Sequence, residues 1–408
     1  MTGEDPITKA IGAIVEAGEM AGAATLVWRG GEVLQASAVG WRDLEARAPL
    51  TRDSLFRIAS MTKPITSTAA LMLLEAGRFA LDDPIARWAP EFGAMRALRA
   101  ADGPLDDTEP AARPIAFEDL LTHRSGLTYG GFHAGPIAAA YAAAWGRDID
   151  SDVAPDAWIA GLAALPLIDQ PGAAFHYGAS ADLLGLLIAR MEGAPLGEVL
   201  ARRIFAPLGM KDTGFTVPPA KRERRAGMCG FDDVGRLKAL TVAPGGATVA
   251  ERPDDMTFVS GGAGLWSTLD DYLAFARLFV GGGAVDGVRL LQPETFALMT
   301  TNRLTERQRR DAKILGMPVF GAGSGFGLGV AGGMDPATAS VMRGKGGVGT
   351  VGWPGAYGGW WQADPTDRSV MILLQHNMVE LEQMMQGYGL GGYGAIQQFH
   401  SLGSALKA

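Results

Sequence analysis

Apolar and polar positions suggest β-structure near both ends of the chain. Two strand-like runs, 23–28 and 33–39, flank a Gly-Gly turn and predict a β-hairpin. Towards the other end, the aromatic run 356–363 and the apolar run 369–375 flank the turn-forming sequence Asp-Pro-Thr-Asp, which predicts a second hairpin. Both ends can therefore contribute strands to one sheet.

The middle of the chain has a different pattern. Residues 60–77 predict a helix ending at Gly77, because glycine is common just after helix C-termini. From about 80 to 300 the pattern is mostly helical and loop-like. We therefore expect an α+β fold, in which one antiparallel sheet is built from both ends of the chain and a helical region is inserted between.

This layout also predicts domain boundaries. A discontinuous α/β domain would comprise 1–78 and 300–408, and a mostly helical domain would comprise 79–299. No internal repeat is visible.

Composition and charge exclude several classes of partner. The net charge is −8 with no basic stripe, and the short basic run 221–225 is typical of a solvated loop, so nucleic acid is not expected. No apolar stretch reaches 18 residues, so no membrane span is expected. The start of the chain is acidic and lacks a signal-peptide layout, and the single cysteine excludes an intrachain disulfide. We expect a soluble, cytoplasmic protein.

Ser60 and Lys63 form a Ser-x-x-Lys pattern at a predicted helix start. Pro64 is well tolerated only in the first helical turn, which places that start close to Ser60. The helix dipole then favours negative charge at the Ser60 oxygen, and the spacing lets the Lys63 amine reach it. A serine hydroxyl needs a neighbour to take its proton, and a buried lysine can do so. We predict that Ser60 is an acyl-accepting nucleophile activated by Lys63.

The pattern alone is weak evidence. It occurs again at Ser404 and Lys407, at the C-terminus, where no scaffold is expected around it. At Ser60 it is equally typical of an N-cap serine followed by a surface lysine. Other parts of the sequence must decide between the two interpretations.

Two later segments favour catalysis. Tyr177 lies just before a predicted helix, 181–191, and a tyrosine near lysines can act as a general base. The glycine-rich segment 352–359 opens a predicted strand, where the Ala356 N–H and the Ser60 N–H can form an oxyanion hole. Taken separately, each segment is also typical of structure alone: a tyrosine packed on the core and a glycine-rich turn.

Other catalytic patterns are absent from the sequence. There is no Gly-x-Ser-x-Gly elbow, no phosphate-binding or dinucleotide-binding loop, and no histidine with zinc-ligand spacing. His123, at a predicted helix end, and Cys229 are interpreted as structural. We therefore expect no metal and no cofactor.

Together these segments resemble the class C β-lactamase and penicillin-binding protein superfamily and, more narrowly, the family VIII carboxylesterases. The matching stretches span most of the chain: 56–63, 120–127, 175–177 with 183–185, 204–210 and 352–365. The resemblance implies a β-lactamase/transpeptidase-like fold with the active site in the cleft between the two domains. It implies a nucleophile at Ser60, general bases at Lys63 and Tyr177, and oxyanion donors from the Ser60 and Ala356 backbones.

The sequence departs from the lactamase pattern at two places. The asparagine two residues after the tyrosine is Ala179, and the strand's Lys-Thr-Gly reads Trp353-Pro354-Gly355. Loss of the lysine removes a charge that would orient the tyrosine and bind a substrate carboxylate, so efficient lactam turnover is not expected. A tryptophan at the position of the lysine resembles the esterase branch, in which the strand motif usually reads Trp-Gly-Gly. Pro354 departs from that motif too, because proline has no backbone N–H and the strand loses one hydrogen-bond donor.

The sequence therefore predicts a serine hydrolase for small-molecule carboxylic esters, with short acyl chains favoured by family analogy. Trp353, Gly355 and Tyr357 are expected to contact the substrate. Acyl transfer and weak β-lactamase or peptidase activity remain alternatives that would use the same site. An alternative of another class is a non-catalytic homologue that only binds ligands.

Overall fold

An eight-stranded antiparallel sheet forms the centre of the computed structural model, which describes residues 5–133, 135–147, 149–242, 252, 254–339 and 346–407. The first four residues of the acidic N-terminus lie outside these ranges. In chain order the strands are β1 (Gly22–Arg29), β2 (Glu32–Asp43), β3 (Ala48–Pro49), β4 (Phe56–Arg57), β5 (Arg96–Leu98), β6 (Thr108–Pro110), β7 (Cys229–Phe231), β8 (Leu237–Ala239), β9 (Trp266–Ser267), β10 (Ala284–Val285), β11 (Val288–Arg289), β12 (Lys313–Ile314), β13 (Met317–Pro318), β14 (Ser324–Phe326), β15 (Ala331–Gly333), β16 (Val351–Pro354), β17 (Trp360–Asp364) and β18 (Ser369–Gln375).

The sheet is assembled from both ends of the chain, as the sequence predicts. Its order is β14-β15-β16-β17-β18-β1-β2-β3, so β1 pairs with β18 across the middle. Alternate residues of β18 face opposite sides of the sheet: Ile372 belongs to the main core, and Met371 packs in a second core beneath the other face. Burial on both faces explains why these central strands are almost continuously apolar. The α+β prediction is confirmed.

Helices cover both faces of the sheet. They are α1 (Pro6–Glu16), α2 (Lys63–Glu75), α3 (Phe117–Leu121), α4 (Pro136–Trp145), α5 (Pro155–Ala163), α6 (Ser180–Glu192), α7 (Leu196–Leu200), α8 (Ala206–Leu208), α9 (Leu269–Val280), α10 (Pro293–Thr300), α11 (Glu306–Asp311), α12 (Leu381–Met385) and α13 (Leu390–Ala405). Helices α1 and α13 pack together on one face, through side chains such as Ile11 and Phe399. On the other face α9 packs on β17 and β18, while α2 packs against α6.

The predicted helix 60–77 is formed in two parts. A 3₁₀ turn, Ala59–Thr62, leads directly into α2, which has Pro64 in its first turn. The helix ends at Glu75, and Gly77 takes a positive φ of 66° just beyond it. Because nearly every side chain of α2 is buried, the helix fixes the turn that carries Ser60 firmly against the core.

The predicted strand 356–363 begins later than expected. Residues 355–359 form the turn between β16 and β17, closed by a hydrogen bond from the Gly355 N–H to the Gly359 carbonyl at 2.7 Å. The aromatic pattern that suggested a strand thus includes a glycine-rich turn, in which Gly358 has a φ of 85°. The predicted domain boundaries, 1–78, 79–299 and 300–408, stay a prediction. In the described part of the chain, no helix is both long and apolar enough to cross a bilayer.

Candidate active site

Ser60 lies in the 3₁₀ turn before α2, and its neighbour Ala59 has an unusual backbone conformation. Ala59 has a φ of 44°, a left-handed value that costs a non-glycine residue about 1–2 kcal/mol. The methyl group of Ala59 is held in a buried cluster with Met228 and Tyr357, which fixes the turn. Within the described residues the Ser60 N–H has no backbone acceptor, so it is free to bind a ligand oxygen.

Lys63 is buried and surrounded by oxygen atoms of the site. It is 2% exposed, and its Nζ donates to the Gly262 carbonyl at 2.9 Å. The same Nζ lies 3.4 Å from the Ser60 Oγ, a long contact of the kind that tightens when substrate binds. Nζ also lies 4.4 Å from the centre of the Tyr177 ring. The structure therefore brings the predicted nucleophile and both predicted bases together.

Two residues of this site were missed by the sequence analysis. The Tyr129 hydroxyl lies 3.4 Å from the Lys63 Nζ and donates to Asp182 Oδ2 at 2.7 Å. The fully buried Asp182 also accepts hydrogen bonds from the Ser260 hydroxyl and, at 3.1 Å, from the Gly262 N–H. Lys63 is thus linked to a buried carboxylate through both Tyr129 and Gly262, although it does not touch that carboxylate.

Glycines make this close arrangement possible. A Cβ on Gly262 would lie 2.6 Å from the Tyr129 hydroxyl and 2.7 Å from the Asp182 carboxylate. A Cβ on Gly178 would lie 2.2 Å from the backbone of Thr128. A side chain at Gly262 would push apart the groups around Lys63, and one at Gly178 would collide with the backbone that carries Tyr129.

Tyr177 is held by packing on its ring and by one hydrogen bond to its hydroxyl. Its ring stacks on Phe132 at 6.0 Å and contacts His123 at 4.8 Å, measured between ring centres. The Trp353 Nε1 donates to the Tyr177 hydroxyl at 2.9 Å. This indole N–H occupies the position at which the lactamase pattern has a lysine, so Tyr177 is oriented by a neutral donor.

The turn after β16 lies directly against the turn that carries Ser60. A Cβ on Gly355 would come within 2.6 Å of the Ile58 carbonyl, so glycine permits this approach. The Gly355 N–H is used inside the turn, whereas the Ala356 N–H has no backbone acceptor among the described residues. Ala356 and Ser60 therefore each offer an unused N–H from two adjoining turns, which is the requirement for an oxyanion hole.

Tyr357 lies in a different environment from the one expected of a substrate contact. It is 2% exposed, and its ring meets the edge of His376 at 4.8 Å. Its place in the cluster with Ala59 makes it a support of the turn that carries Ser60.

Two other polar residues are unsuited to direct catalysis. His123 is completely buried, and burial together with the Lys63 charge lowers its pKa well below the ordinary value, so its ring is neutral at pH 7. Burial raises the pKa of the Cys229 thiol to about 12, which suppresses the thiolate. No group of three or more His, Cys, Asp or Glu side chains suited to a metal ion occurs among the described residues.

This arrangement suits acyl transfer. The site contains a hydroxyl with an amine 3.4 Å away, a phenol that accepts a hydrogen bond from an indole, and two N–H groups without a backbone acceptor among the described residues. These are the kinds of group that acyl transfer uses.

Comparison with known proteins supports this interpretation. The sequence matches the Beta-lactamase family over residues 7–388. It is 47% identical to Protein Rv1367c of Mycobacterium tuberculosis, over 89% of this chain and 88% of that one. It is 33% identical to Esterase EstB of Burkholderia gladioli, over 88% of this chain and 87% of the esterase. Among solved structures, EstCE1, described as a hydrolase with promiscuous acyltransferase activity, superposes with a TM-score of 0.75 at 26% identity, covering 96% of this chain and 97% of EstCE1.

Proposed function

The chain belongs to the β-lactamase family of hydrolases and acyltransferases, and on that premise we propose that it hydrolyses carboxylic esters through a covalent acyl-Ser60 intermediate. One observation carries the proposal. The Lys63 amine lies 3.4 Å from the Ser60 hydroxyl, and it shares its pocket with Tyr177, whose hydroxyl is held by Trp353 at 2.9 Å. These are the groups that an acyl-enzyme mechanism requires.

In the proposed acylation step, the Ser60 oxygen attacks the ester carbonyl while the Lys63–Tyr177 pair takes its proton. The carbonyl oxygen becomes negative and accepts hydrogen bonds from the Ser60 and Ala356 N–H groups. The carbon–oxygen bond to the alcohol then breaks, and the pair returns the proton to the departing oxygen.

In the proposed second step, water releases the acid. Tyr177, oriented by Trp353, removes a proton from a water molecule that attacks the acyl carbonyl. Ser60 leaves with a proton from the Lys63–Tyr177 pair, so the enzyme returns to its starting state. Apart from the ester and water, neither step requires a group from outside the chain.

The substitutions around Tyr177 favour esters over lactams. Trp353 supplies a neutral donor, so the site lacks the cation that would attract a lactam's carboxylate at this position. Pro354 has no N–H for a substrate amide, and Ala179 has no side-chain amide. We further propose short acyl chains, a preference that rests on family analogy. Parallel assays with p-nitrophenyl butanoate and nitrocefin test this, because the lactam should be turned over at least 100-fold more slowly.

Ser60→Ala is the direct kinetic test. Loss of the nucleophile should reduce the turnover of p-nitrophenyl butanoate by at least a thousandfold, a range typical of nucleophile removal. A Ser404→Ala variant is the matched control, because it alters the second Ser-x-x-Lys sequence, at the end of α13. Wild-type turnover by Ser60→Ala would reject the proposed function.

Acyl transfer is a second candidate, favoured by the likeness to EstCE1. An acyl-Ser60 intermediate can be attacked by an alcohol in place of water, and the same base would serve both. Adding an alcohol acceptor and measuring the ratio of new ester to free acid would separate transferase from hydrolase. A chain that lacks both activities and is not labelled by fluorophosphonates would instead be a ligand-binding homologue.

A further inference from the structure

A small apolar hairpin lies beside the site. Strands β12 and β13 pair only with each other, and their turn residues Leu315 and Gly316 have φ values of 50° and 78°. Positive φ at both positions is characteristic of a tight two-residue turn. Leu315 is 42% exposed and Met317 is 46% exposed, which is unusual for two large apolar side chains so near each other.

The hairpin separates two cavities of different chemistry. One has a volume of about 150 Å³ and only apolar lining residues: Ile314, Met317, Pro318, Val319, Trp353, Pro354 and Trp360. The other, of about 300 Å³, includes charged or titratable side chains, namely His133, His176, Asp311 and Lys313, besides Tyr177. An apolar ligand group in the second cavity would take water away from these polar and charged side chains, which costs free energy, so it would prefer the first cavity.

Trp353 connects the apolar cavity to Tyr177, the proposed general base. Its ring lines that cavity, and its Nε1 donates to the Tyr177 hydroxyl at 2.9 Å. A group that returns a proton to the departing oxygen must lie within about 3 Å of it. The carbon chain attached to that oxygen must therefore begin next to Tyr177. Tyr177 itself lines the polar cavity, but its hydrogen-bond partner Trp353 lines the apolar one, so Trp353 is the link between that carbon chain and the apolar cavity.

We propose that the apolar cavity binds the alcohol portion of the substrate and selects compact apolar alcohols. This inference rests on the proposed function and adds the substrate class. An engineered cavity of about 150 Å³ in another protein holds one benzene molecule, so the capacity here is about six carbon atoms. The hairpin residues Ile314 and Met317 line the cavity with Val319, which follows the hairpin, and Trp353 and Pro354 of β16 line it with Trp360.

Two series of esters test the assignment. In the first, the acid is butanoic acid and the alcohol grows from methyl to decyl; in the second, the alcohol is methanol and the acid grows from two to eight carbons. In the wild type, kcat/KM should rise by about two- to fourfold for each methylene added to the alcohol, where fourfold corresponds to complete burial of that methylene. The rise should level off near six carbons, when the cavity is full. Ile314→Trp should fill the cavity.

Ile314→Trp should lower kcat/KM for hexyl butanoate at least tenfold, because the bulky side chain fills the cavity and excludes the longer alcohols. It should change kcat/KM for methyl butanoate by no more than about threefold and leave the acid series unchanged. Leu298→Trp, at a position 38% exposed on α10, is the matched control and should change neither series. If Ile314→Trp instead alters the acid series, the cavity belongs to the acyl group and the assignment is wrong. If neither series changes, the cavity does not receive substrate.

A binding experiment separates this inference from the proposed function. Saturation-transfer NMR with hexan-1-ol needs no catalysis and can be recorded on wild type, Ile314→Trp and Leu298→Trp. Transfer to the alkyl chain in the wild type and Leu298→Trp, lost in Ile314→Trp, supports the cavity assignment even if no ester is hydrolysed. Absence of transfer in the wild type, or its persistence in Ile314→Trp, would overturn the assignment.

Discussion

The indole Nε1 of Trp353 donates a hydrogen bond to the hydroxyl of Tyr177 at 2.9 Å. A cation at this position would both orient the tyrosine and attract an anionic substrate. Trp353 can perform only the first task, because its N–H is neutral. This contact therefore connects one substitution in the sequence with the proposed change of substrate from lactam to ester.

Trp353→Phe should reduce kcat for p-nitrophenyl butanoate by about five- to tenfold, since one neutral hydrogen bond contributes about 1 kcal/mol. The pH–rate profile should also shift, because the phenol loses the donor that fixes it. Trp41→Phe, at a half-buried position in β2, serves as the control. Unchanged kcat together with an unchanged pH profile would show that the contact does not orient the base.

Tyr129→Phe and Asp182→Asn should each impair Lys63. The first removes the hydroxyl 3.4 Å from the Lys63 Nζ, and the second replaces a carboxylate that accepts three hydrogen bonds. We expect a loss of about 1–3 kcal/mol, or about 5- to 150-fold in kcat. Tyr393→Phe, 42% exposed on α13, is the control. Thermal unfolding would distinguish a misplaced amine from a misfolded protein, and wild-type pH–rate profiles in both variants would contradict the assignment.

Asp150→Ala should destabilise the fold strongly. Asp150 and Arg57 form a fully buried ion pair at 2.7 Å, and Arg252 Nε lies 3.3 Å from the same carboxylate. Removing one partner of a buried pair costs about 3–5 kcal/mol, because a charge is left buried. Asp270→Ala breaks the Arg52–Asp270 pair, also at 2.7 Å but half exposed, and should cost less than about 1 kcal/mol. Equal losses in urea unfolding would contradict this account.

Acid should destabilise the fold partly through His400. Burial lowers its pKa to about 4 from an ordinary value of 6.5. Between pH 6.5 and pH 4 the His400 imidazole is protonated in the unfolded chain but stays neutral in the folded one. The free energy of unfolding therefore falls as the pH decreases through this range, by an amount on the order of 3 kcal/mol. Neither ring nitrogen has a hydrogen-bond partner among the described residues, so phenylalanine is a tolerable replacement. His400→Phe should lose less stability than wild type between pH 7 and pH 4.5 in urea titrations; an equal loss would contradict the assignment.

The fold was predictable because its evidence is local. The Gly-Gly turn between β1 and β2 and the polar turn between β17 and β18 identify two hairpins, and their positions at the chain ends suggest one sheet. The predicted start of the strand at Ala356 was wrong, because an aromatic and glycine-rich run does not by itself distinguish a strand from the turn before it.

The candidate site was only partly predictable. Ser60 and Lys63 are three residues apart, so helix geometry suffices to connect them. Tyr129 reaches Lys63 across 66 residues of sequence, and no local pattern indicates that contact. Asp182 resembles an ordinary acidic residue in the first turn of a helix, a position that the helix dipole explains without any further role.

The central claim is that Ser60 is the nucleophile of an acyl-enzyme. Treating the protein with a fluorophosphonate and locating the adduct by peptide mass spectrometry tests it most directly. We predict one adduct per wild-type chain, on Ser60, no adduct in Ser60→Ala, and labelling at least tenfold slower in Lys63→Ala. An unlabelled wild type, or an adduct on another residue such as Ser404 that persists in Ser60→Ala, would contradict the account.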